Sequence, residues 1–426
     1  MEDRIGKIAR ARKRRKSRRE SRRESRRERR QIRAYRWLNR LLKLTLGKYL
    51  TIRYNLKAYN LTVFENLKPP YIMMANHSCF WDPFIISNFV PDPIYFVVTD
   101  ASFRSPFMRF LLGLVGSIPK TKAISDFGTV KQIMEIKRRG GVIGIFPEGH
   151  NTWDGHSLPV IYATAKLIKH LKIPVVIPEK RGAFLSIPRW AKKNRRGRIT
   201  LDFKLAFTGE EIERLSTDEI YTRLSGFLDY NEYEFQRKEM IPYKGKDLAE
   251  YLELVLFICP ECKSIGSMYS LGRVFTCKKC NYITFYNNYG FFENSNKEVA
   301  FETIRDWNVW QLNYLKTFLQ EKKRQNCLET IIEDSRIDCR IGYRDEPMVK
   351  SGKGTLQLYT DGIVFSASGG DLSFYIDEIT GLNVQNEEKL EFYHKDNLFR
   401  FDSKDRRVSI YKWYCCLKLL QEMERG

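Results

Sequence analysis

Short apolar runs alternate with amphipathic stretches from about residue 55 to residue 240, and this alternation constrains the fold more than any other feature of the chain. Strands that alternate with helices favour an α/β unit with a mainly parallel sheet. Residues 55–245 are therefore predicted to form a domain in which helices flank such a sheet. The predicted strands are 71–74, 94–98, 142–146 and 175–177, and the predicted helices are 107–114, 129–139 and 158–171.

A histidine and an aspartate follow the first predicted strand, in Asn76-His77-Ser-Cys-Phe-Trp-Asp82-Pro83. Asp82 and Pro83 are typical of a helix start, because Asp is a good N-cap and Pro suits the first helical position. His77 then lies in a strand-to-helix loop, which can fold the imidazole back onto the carboxylate. A carboxylate that fixes one ring nitrogen lets the other take a proton from a hydroxyl. Alone, such a pair is more often structural.

A second polar motif follows the third predicted strand, in Gly144-Ile-Phe146-Pro147-Glu148-Gly149. Its glycine and carboxylate suit the rim of a site at the carboxyl edge of a parallel sheet. Taken alone, it is explained equally well as a turn with a structural glutamate.

Together the two motifs resemble the glycerol-3-phosphate and lysophosphatidate acyltransferase family. The family pattern is Asn-His-x4-Asp, then Gly-x-x-(Phe/Pro)-x-Arg, Phe-Pro-Glu-Gly-Thr-Arg-Ser, and an apolar block around Val-Pro. The first block is complete here, and the later blocks resemble residues 116–122, 146–152 and 173–178 in order and spacing. The resemblance covers roughly residues 55–210.

The resemblance implies transfer of an acyl group from acyl-CoA or acyl-carrier protein to the hydroxyl of a lysophospholipid, a lysophosphatidate-like acceptor. His77 would be the general base and Asp82 would orient it, with donors nearby stabilising the oxyanion. Ser78 and Cys79 are expected to be dispensable, against the competing hypothesis of a Cys-His nucleophile pair. The implied substrate contacts are Asn76, Lys120, Lys122, Phe146, Pro147, Glu148, Gly149, Asn151 and Arg189.

Two positions depart from the family pattern. The arginine of the second block is matched only by Lys120, and Asn151 stands where the third block has its arginine. A lysine carries the charge without the bidentate fork of a guanidinium. Lys120, Lys122 or Arg189 are candidates for the missing charge, and the identity of the acceptor stays open.

Four cysteines have the spacing of a metal site. Cys259-Pro-Glu-Cys262 and Cys277-Lys-Lys-Cys280 are separated by 14 residues, which is typical of a four-thiolate tetrahedral zinc site. Residues 255–290 are predicted to form a zinc ribbon, and redox dithiols are the alternative. Four thiolates leave no open coordination position, so the zinc is predicted to be structural.

The net charge of +23 is concentrated near the start of the chain, where residues 1–36 hold 18 Lys and Arg against 5 Asp and Glu. Such a basic arm indicates an anionic partner, either nucleic acid or acidic lipid. Residues 37–54 have apolar positions at helical spacing beginning with Trp37, which favours a helix on the membrane surface. A helix packed on the next domain is the alternative. No stretch reaches the ~20 apolar residues of a spanning helix, so we expect a peripheral protein on the cytoplasmic face of a membrane.

The remaining segments are predicted from pattern alone. Residues 300–325 are predicted to be a linking helix. Residues 330–426 are predicted to be a β-rich domain closed by a helix, compatible with a pleckstrin-homology-like type. A nucleic-acid-binding zinc-ribbon protein is the competing function, but it leaves His77 and Asp82 unexplained. A third hypothesis is a non-catalytic lipid-binding member of the same fold.

Overall fold

The computed structural model describes residues 36–120, 127–294, 298–342, 348–386, 388–395 and 397–425. The predicted basic arm therefore lies outside the described residues except for its last residue, and Lys122 also lies outside them. The helices, numbered α1 to α12, are Arg36–Leu42, Lys48–Tyr54, Asp82–Ser87, Pro106–Leu114, Phe127–Arg138, Tyr162–Leu171, Ala183–Ser186, Gly209–Arg214, Thr217–Leu228, Glu232–Glu239, Ile304–Arg324 and Ile410–Arg425. A π-helical turn, Lys43–Gly47, joins α1 to α2, and 3-10 turns occur at Leu61–Phe64, Asp100–Phe103, Leu252–Leu254 and Ile376–Glu378.

The first sheet of the described residues has seven strands in the order β1-β7-β6-β2-β5-β3-β4. Every neighbouring pair is parallel except β6 with β7, which is antiparallel. The predicted α/β unit with a mainly parallel sheet is thus confirmed. The strands β1 to β7 are Lys57–Tyr59, Ile72–Met74, Ile94–Thr99, Ile118–Lys120, Val142–Ile145, Val175–Arg181 and Thr200–Phe207.

The order of the strands places the polar motifs. β2 lies between β5 and β6, and its three residues are all buried. Because these strands are parallel, the loops that follow β2 and β5 leave the sheet at the same edge. The helix predicted over 158–171 begins only at Tyr162, and the backbone N–H of Leu158 donates to Glu148 in the loop that precedes it.

The first helical segment, which comprises α1, the π-helical turn and α2 (residues 36–54), packs on the α/β region with one side and is exposed on the other. Leu50 and Tyr54 are buried, whereas Trp37, Leu41 and Leu44 are exposed. Packing on the next domain, the alternative raised from the sequence, is therefore observed. Among the described residues, every helix is too short or too polar to cross a bilayer.

The Cys-rich region carries a four-stranded antiparallel sheet in the order β11-β10-β9-β8 within the described residues. Its strands β8 to β11 are Met268–Leu271, Val274–Cys277, Ile283–Tyr286 and Phe292–Glu293. The linking helix α11 follows it, and buried Trp307 on this helix donates its ring N–H to the carbonyl of Ile258 at 3.0 Å.

The C-terminal region forms an antiparallel sheet of seven described strands in the order β15-β14-β13-β12-β18-β17-β16. Helix α12 closes the sheet, because Ile410, Trp413, Leu417 and Leu420 recur on one helical face and are buried against it. The predicted β-rich region closed by a helix is confirmed. The strands β12 to β18 are Ile332–Gly342, Val349–Leu358, Gly362–Ala367, Gly370–Tyr375, Ile379–Gln385, Lys389–His394 and Asn397–Ser403.

One hydrophobic core runs through several regions of the chain. It joins Trp153 and Trp190 of the α/β region to Phe275 of the Cys-rich sheet, Trp307 of α11 and Trp413 of α12. A shared core of this kind fixes the three regions to one another by burial of apolar surface.

Candidate active site

The structure brings His77 and Asp82 together at the carboxyl end of β2. His77 lies in the loop after the strand, and Asp82 is the first residue of α3, with Trp81 at the N-cap position where Asp82 was predicted. The Nδ1 atom of His77 is 2.8 Å from Oδ2 of Asp82, which is the distance of a hydrogen bond. When Nδ1 carries the proton shared with this carboxylate, Nε2 is the nitrogen that can take a proton from a hydroxyl.

The carboxylate of Asp82 is buried but fully satisfied. Its exposed fraction is 0%. The backbone N–H groups of Ser78 and Cys79 donate to Oδ2 at 2.7 and 3.1 Å. Burial acts to raise the pKa of Asp82, but the charges and hydrogen bonds of Lys180 and His77 outweigh it and hold the pKa below its usual range. Asp82 therefore remains ionised at neutral pH, as an orienting group requires.

Lys180 is the third charged member of this cluster, and sequence reasoning missed it. It lies on β6, which pairs with β2, and its side chain is completely buried. Its ammonium contacts Oδ1 of Asp82 and donates to the backbone carbonyl of Asn76 at 3.2 Å. The available signal was a lysine two residues beyond the Val-Pro block, at the end of an otherwise buried strand.

The imidazole of His77 is poised to be neutral. Burial lowers the pKa of His77, Asp82 opposes this, and the positive charges of Lys180 and Arg189 lower it further. The side chain retains about a fifth of its exposure, 21%, so a substrate can reach it. A neutral, accessible imidazole is the form that a general base needs.

Cys79 is unsuited to nucleophilic chemistry. Its Sγ is buried and lies 3.1 Å from Oδ1 of Asp82. Burial and the nearby carboxylate raise the pKa of the Cys79 thiol well above its ordinary value. Because the thiolate is the reactive form of cysteine, this environment works against the Cys-His hypothesis.

The loop after β5 forms the second wall of the site. The ring of Phe146 stacks on His77 with centroids 4.3 Å apart. Glu148 accepts hydrogen bonds from the backbone N–H of His77 at 3.2 Å and of Leu158 at 3.0 Å. Gly149 follows with φ of 72°, a left-handed conformation that favours glycine. The loop is thus tied directly to the backbone of His77.

The carboxyl group of Glu148 is 4% exposed, so its contacts are with the protein. Burial raises the pKa of Glu148 to about 8, although the two backbone donors act against the rise. The structure therefore gives this side chain a role in joining two loops.

Arg189 connects the loop at Asn151 to the C-terminal region. Its Nη1 donates to the carbonyl of Asn151 at 2.8 Å, and its Nη2 donates to the carbonyl of Val384 at 3.3 Å. The guanidinium lies 3.9 Å from the ring centroid of Trp153, a cation–π distance. Two carbonyls and an aromatic ring therefore hold this cation in place.

Asn76, Pro147 and Lys120 are the remaining described residues that were predicted to contact the substrate. Asn76 is buried and uses its backbone carbonyl on Lys180. The carbonyl of Pro147 accepts from the N–H of Ile161 at 3.0 Å. Lys120 is the last residue of β4, and it lines the same cavity as His77.

His77 is one of the residues that line a cavity of about 1190 Å³. Its walls come from the first helical segment, α4, the two loops of the site and strand β16 of the C-terminal region. Leu38, Leu42, Phe84, Met108 and Leu112 are among the apolar residues that line it. A cavity of this size and lining suits a substrate with a long apolar chain.

Residues 55–178 match a family model that is described as Acyltransferase. This part of the chain is an acyltransferase domain. The resemblance inferred from the motifs is confirmed at this level. No curated protein matches the chain. Among solved structures, the crystal structure of the 1-acyl-sn-glycerophosphate (LPA) acyltransferase PlsC from Thermotoga maritima is similar, with a TM-score of 0.40 and 15% identity, covering 45% of this chain and 77% of that chain.

Four cysteines outside the acyltransferase domain form a candidate metal centre. The sulfur atoms of Cys259, Cys262, Cys277 and Cys280 lie within 4.8 Å of one another. Cys259 and Cys280 are 3.6 Å apart, and Cys262 and Cys277 are 3.7 Å apart. Zinc–sulfur bonds of about 2.3 Å in a tetrahedron separate the sulfurs by about 3.8 Å. The four thiols therefore fit a tetrahedral metal ion.

The loop that follows Asn151 is held by the helices that pack on the Cys-rich region. Asp154 accepts from Arg305 at 2.8 Å and from Asn308 at 2.7 Å, both on α11. Trp153 stacks on Tyr411 of α12 with centroids 4.6 Å apart. Helices α11 and α12 of the C-terminal half of the chain thus hold the loop that follows Asn151 in the acyltransferase domain.

Proposed function

We propose that this protein is an O-acyltransferase that moves a fatty acyl group from acyl-CoA or acyl-carrier protein to the hydroxyl of a lysophospholipid, a lysophosphatidate-like acceptor. The observation that carries the proposal is the His77–Asp82 hydrogen bond beside a largely apolar cavity that His77 lines, within the segment that matches the acyltransferase family. The cavity accepts a lipid chain, and the base in its wall acts on a hydroxyl.

The chemistry needs one base and no covalent enzyme intermediate. Nε2 of His77 removes the proton from the acceptor hydroxyl, and the oxygen attacks the thioester carbonyl. The tetrahedral intermediate collapses, the carbon–sulfur bond breaks, and the thiol of the donor leaves with the proton from the imidazolium. Asp82 orients the ring and stabilises the imidazolium that forms between the two proton transfers.

Lys180 acts through Asp82 and is a positioning residue. Its buried ammonium fixes the carboxylate from the side opposite His77 and ties it to the backbone of Asn76. The same charge lowers the pKa of His77 and keeps the base unprotonated. Contacts of Glu148 and Arg189 with the substrate, predicted from the family pattern, remain part of the proposal to be tested.

We propose that the protein works as a peripheral protein on an anionic membrane surface, on the cytoplasmic face. Trp37, Leu41 and Leu44 of the first helical segment are exposed, and so are Phe107 and Phe110 of α4, a helix with no buried residue. Neighbouring residues of both segments line the cavity. Apolar surface beside the cavity, preceded by a basic arm, suits binding to acidic lipid.

The four-cysteine cluster is proposed to hold a structural zinc ion. Cys259, Cys262, Cys277 and Cys280 would be its ligands, and zinc would supply folding free energy with no open position for substrate. None of the nine cysteines, all of them among the described residues, forms a disulfide, which suits the reducing environment of a cytoplasmic face.

The test is acyl transfer by the purified, zinc-loaded protein on anionic liposomes. Acyl-CoA and acyl-carrier protein are offered with a panel of lysophospholipids, and products are identified by mass spectrometry. We expect a diacyl product and release of the donor thiol only when an acceptor is present. A His77→Ala variant is run in parallel.

The result that supports the proposal is turnover that the His77→Ala variant lacks. Turnover that persists in this variant would contradict the assigned base. Absence of turnover across the panel, with a folded and zinc-loaded protein, would favour the non-catalytic lipid-binding hypothesis.

A further inference from the structure

Two short segments of the chain, residues 192–196 and 244–246, run antiparallel and are joined by a β-bridge. The backbone N–H of Arg196 donates to the carbonyl of Lys244, and the N–H of Lys244 donates to the carbonyl of Arg196, both at 2.7 Å. Four exposed cations lie on these segments, and we call them the basic patch: Lys192, Arg196, Lys244 and Lys246.

The charges of the basic patch are not neutralised within the part of the chain that the structure describes. No carboxylate there forms an ion pair with any of its four members, and the adjacent Asp247 is paired with Lys193 instead. Arg196 and Lys244 stand directly opposite each other in the bridge, where like charges destabilise a pair of strands. Uncompensated cations that the backbone holds together in this way suit an anionic partner.

The backbone beneath the basic patch is anchored by Arg195, which is buried. Its guanidinium lies 5.0 Å from the ring centroid of Trp190 and 5.2 Å from that of Tyr286. Its Nη2 also donates to the carbonyl of Leu248 at 2.6 Å. The basic patch therefore stands on an ordered backbone and differs in this from a charged tail.

The basic patch adjoins the first helical segment. Arg53 of α2 donates to the carbonyl of Asn194 at 3.1 Å, and the side chain of Asn194 donates to the hydroxyl of Tyr54 at 2.8 Å. Tyr49, one turn before Arg53 on the same side of the helix, is exposed, and Ile52 is 83% exposed. Apolar side chains next to cations are the combination that binds the interface of an anionic bilayer.

We propose that the basic patch binds the head groups of anionic lipids. The inference rests on the proposed membrane location and adds a lipid-binding surface that lies outside both the basic arm and α4. Lipid is favoured over nucleic acid because Tyr49 and Ile52 would meet the apolar layer of a bilayer, whereas duplex DNA has no such layer beside its phosphates. A contact at the α2 end of the first helical segment would hold the cavity that this segment lines next to the membrane.

The experiment measures sedimentation of the full-length protein with liposomes of phosphatidylcholine alone and of phosphatidylcholine mixed with phosphatidylglycerol. The patch variant combines Lys192→Gln, Arg196→Gln and Lys244→Gln, which remove three charges and keep long polar side chains. Each cation near an anionic surface is worth about fivefold in affinity, so we expect the patch variant to bind the mixed liposomes about a hundredfold more weakly than the wild type.

A matched control variant removes the same charge from other elements. It combines Lys316→Gln on α11, Lys353→Gln on β13 and Lys418→Gln on α12, three exposed lysines. Both variants keep residues 1–36, so the basic arm contributes equally to both. We expect the control variant to bind the mixed liposomes within about threefold of the wild type, because charges away from the membrane are screened by salt. Circular dichroism checks that both variants are folded.

The possible results separate the basic patch from the proposals on which it depends. Equal binding of the patch and control variants to the mixed liposomes overturns the basic patch and leaves the membrane location in place. A wild type that does not sediment with these liposomes overturns the membrane location itself. A patch variant that loses more affinity for duplex DNA than for the mixed liposomes, at the same ionic strength, overturns lipid as the partner.

Acyl transfer to a monomeric, short-chain lysophospholipid tests whether the basic patch acts at the membrane or at the active site. None of the three residues replaced in the patch variant lines the described cavity, so kcat/KM with this acceptor should equal that of the wild type. With the acceptor embedded in mixed liposomes, the patch variant should have a higher KM and an unchanged kcat. An equal loss of kcat with both forms of the acceptor would overturn a role in lipid binding.

Discussion

Replacing Lys180 by methionine tests the structure around the base most sharply. The side chain of Lys180 is completely buried and its ammonium is the counter-ion of Asp82, which is also completely buried. Methionine has a similar length and no charge, so Lys180→Met removes the ion pair with little change in packing. The carboxylate of Asp82 is then left in the interior without a cation other than a protonated His77.

The magnitude follows from the contacts that remain. Removing one partner of a buried ion pair costs about 3–5 kcal/mol. Because Ser78, Cys79 and His77 still donate to Asp82, we expect the lower end, about 3 kcal/mol of unfolding free energy. Less exact placement of the ring should also lower kcat by up to about a hundredfold.

The pH profile separates positioning from a purely structural role. Lys180 lowers the pKa of His77, so its removal raises that pKa and leaves more of the imidazole protonated at a given pH. The acid limb of the kcat/KM profile should therefore move to higher pH in Lys180→Met. Urea unfolding gives the stability, and acyl transfer measured from pH 5 to pH 9 gives the profile.

A lysine on the neighbouring strand supplies the control. Lys204 pairs with Glu179 but its side chain is 40% exposed, so Lys204→Met should cost no more than about 1 kcal/mol and leave the profile in place. If Lys180→Met matched this control in stability, rate and profile, the argument for a positioning lysine would be refuted.

Three further predictions concern other parts of the molecule. Cys262→Ser should release the metal, and the released zinc is measured with a chelating dye. The same substitution should lower the unfolding free energy and the acyl-transfer rate, because α11 carries the partners of Asp154. Burial raises the pKa of Glu148 in the folded state to about 8, so the unfolding free energy that its protonated form contributes is lost as pH rises from about 4.5 through 8. Glu148→Gln should therefore lose less unfolding free energy between pH 6 and pH 9 than the wild type, as measured by urea unfolding at both pH values. Phe107→Ala with Phe110→Ala should weaken sedimentation with anionic liposomes while leaving the fold intact by circular dichroism; unchanged sedimentation would remove α4 from the proposed membrane surface.

The parts of the fold that sequence predicts well are those with a local signal. Apolar runs of three to five residues predicted the strands beside His77, and the spacing of Cys259, Cys262, Cys277 and Cys280 predicted the four-cysteine cluster. These signals depend on a few neighbouring residues. The strand Thr200–Phe207, which lies between β1 and β6, was missed because alternating charged residues interrupt its apolar positions.

The parts that sequence did not predict depend on which elements become neighbours. Lys180 reaches Asp82 only because β6 lies beside β2, and the order of strands in a sheet is not written in any one of them. In the same way, Val384 and Gln385 come to the cavity through packing of the C-terminal region on the acyltransferase domain. Glu148 shows a further limit, since the sequence indicates a carboxylate at the rim but not the backbone groups that it contacts.

His77, oriented by Asp82, is the proposed base of an acyl-transfer reaction. Its most direct test is the rate of product formation by His77→Ala and Asp82→Asn against the wild type, at saturating acyl donor and lysophospholipid, with Cys79→Ala as the control. We expect losses of about a hundredfold to ten-thousandfold in the first two variants and substantial activity in the third. Loss of activity in Cys79→Ala, with His77→Ala still active, would contradict it.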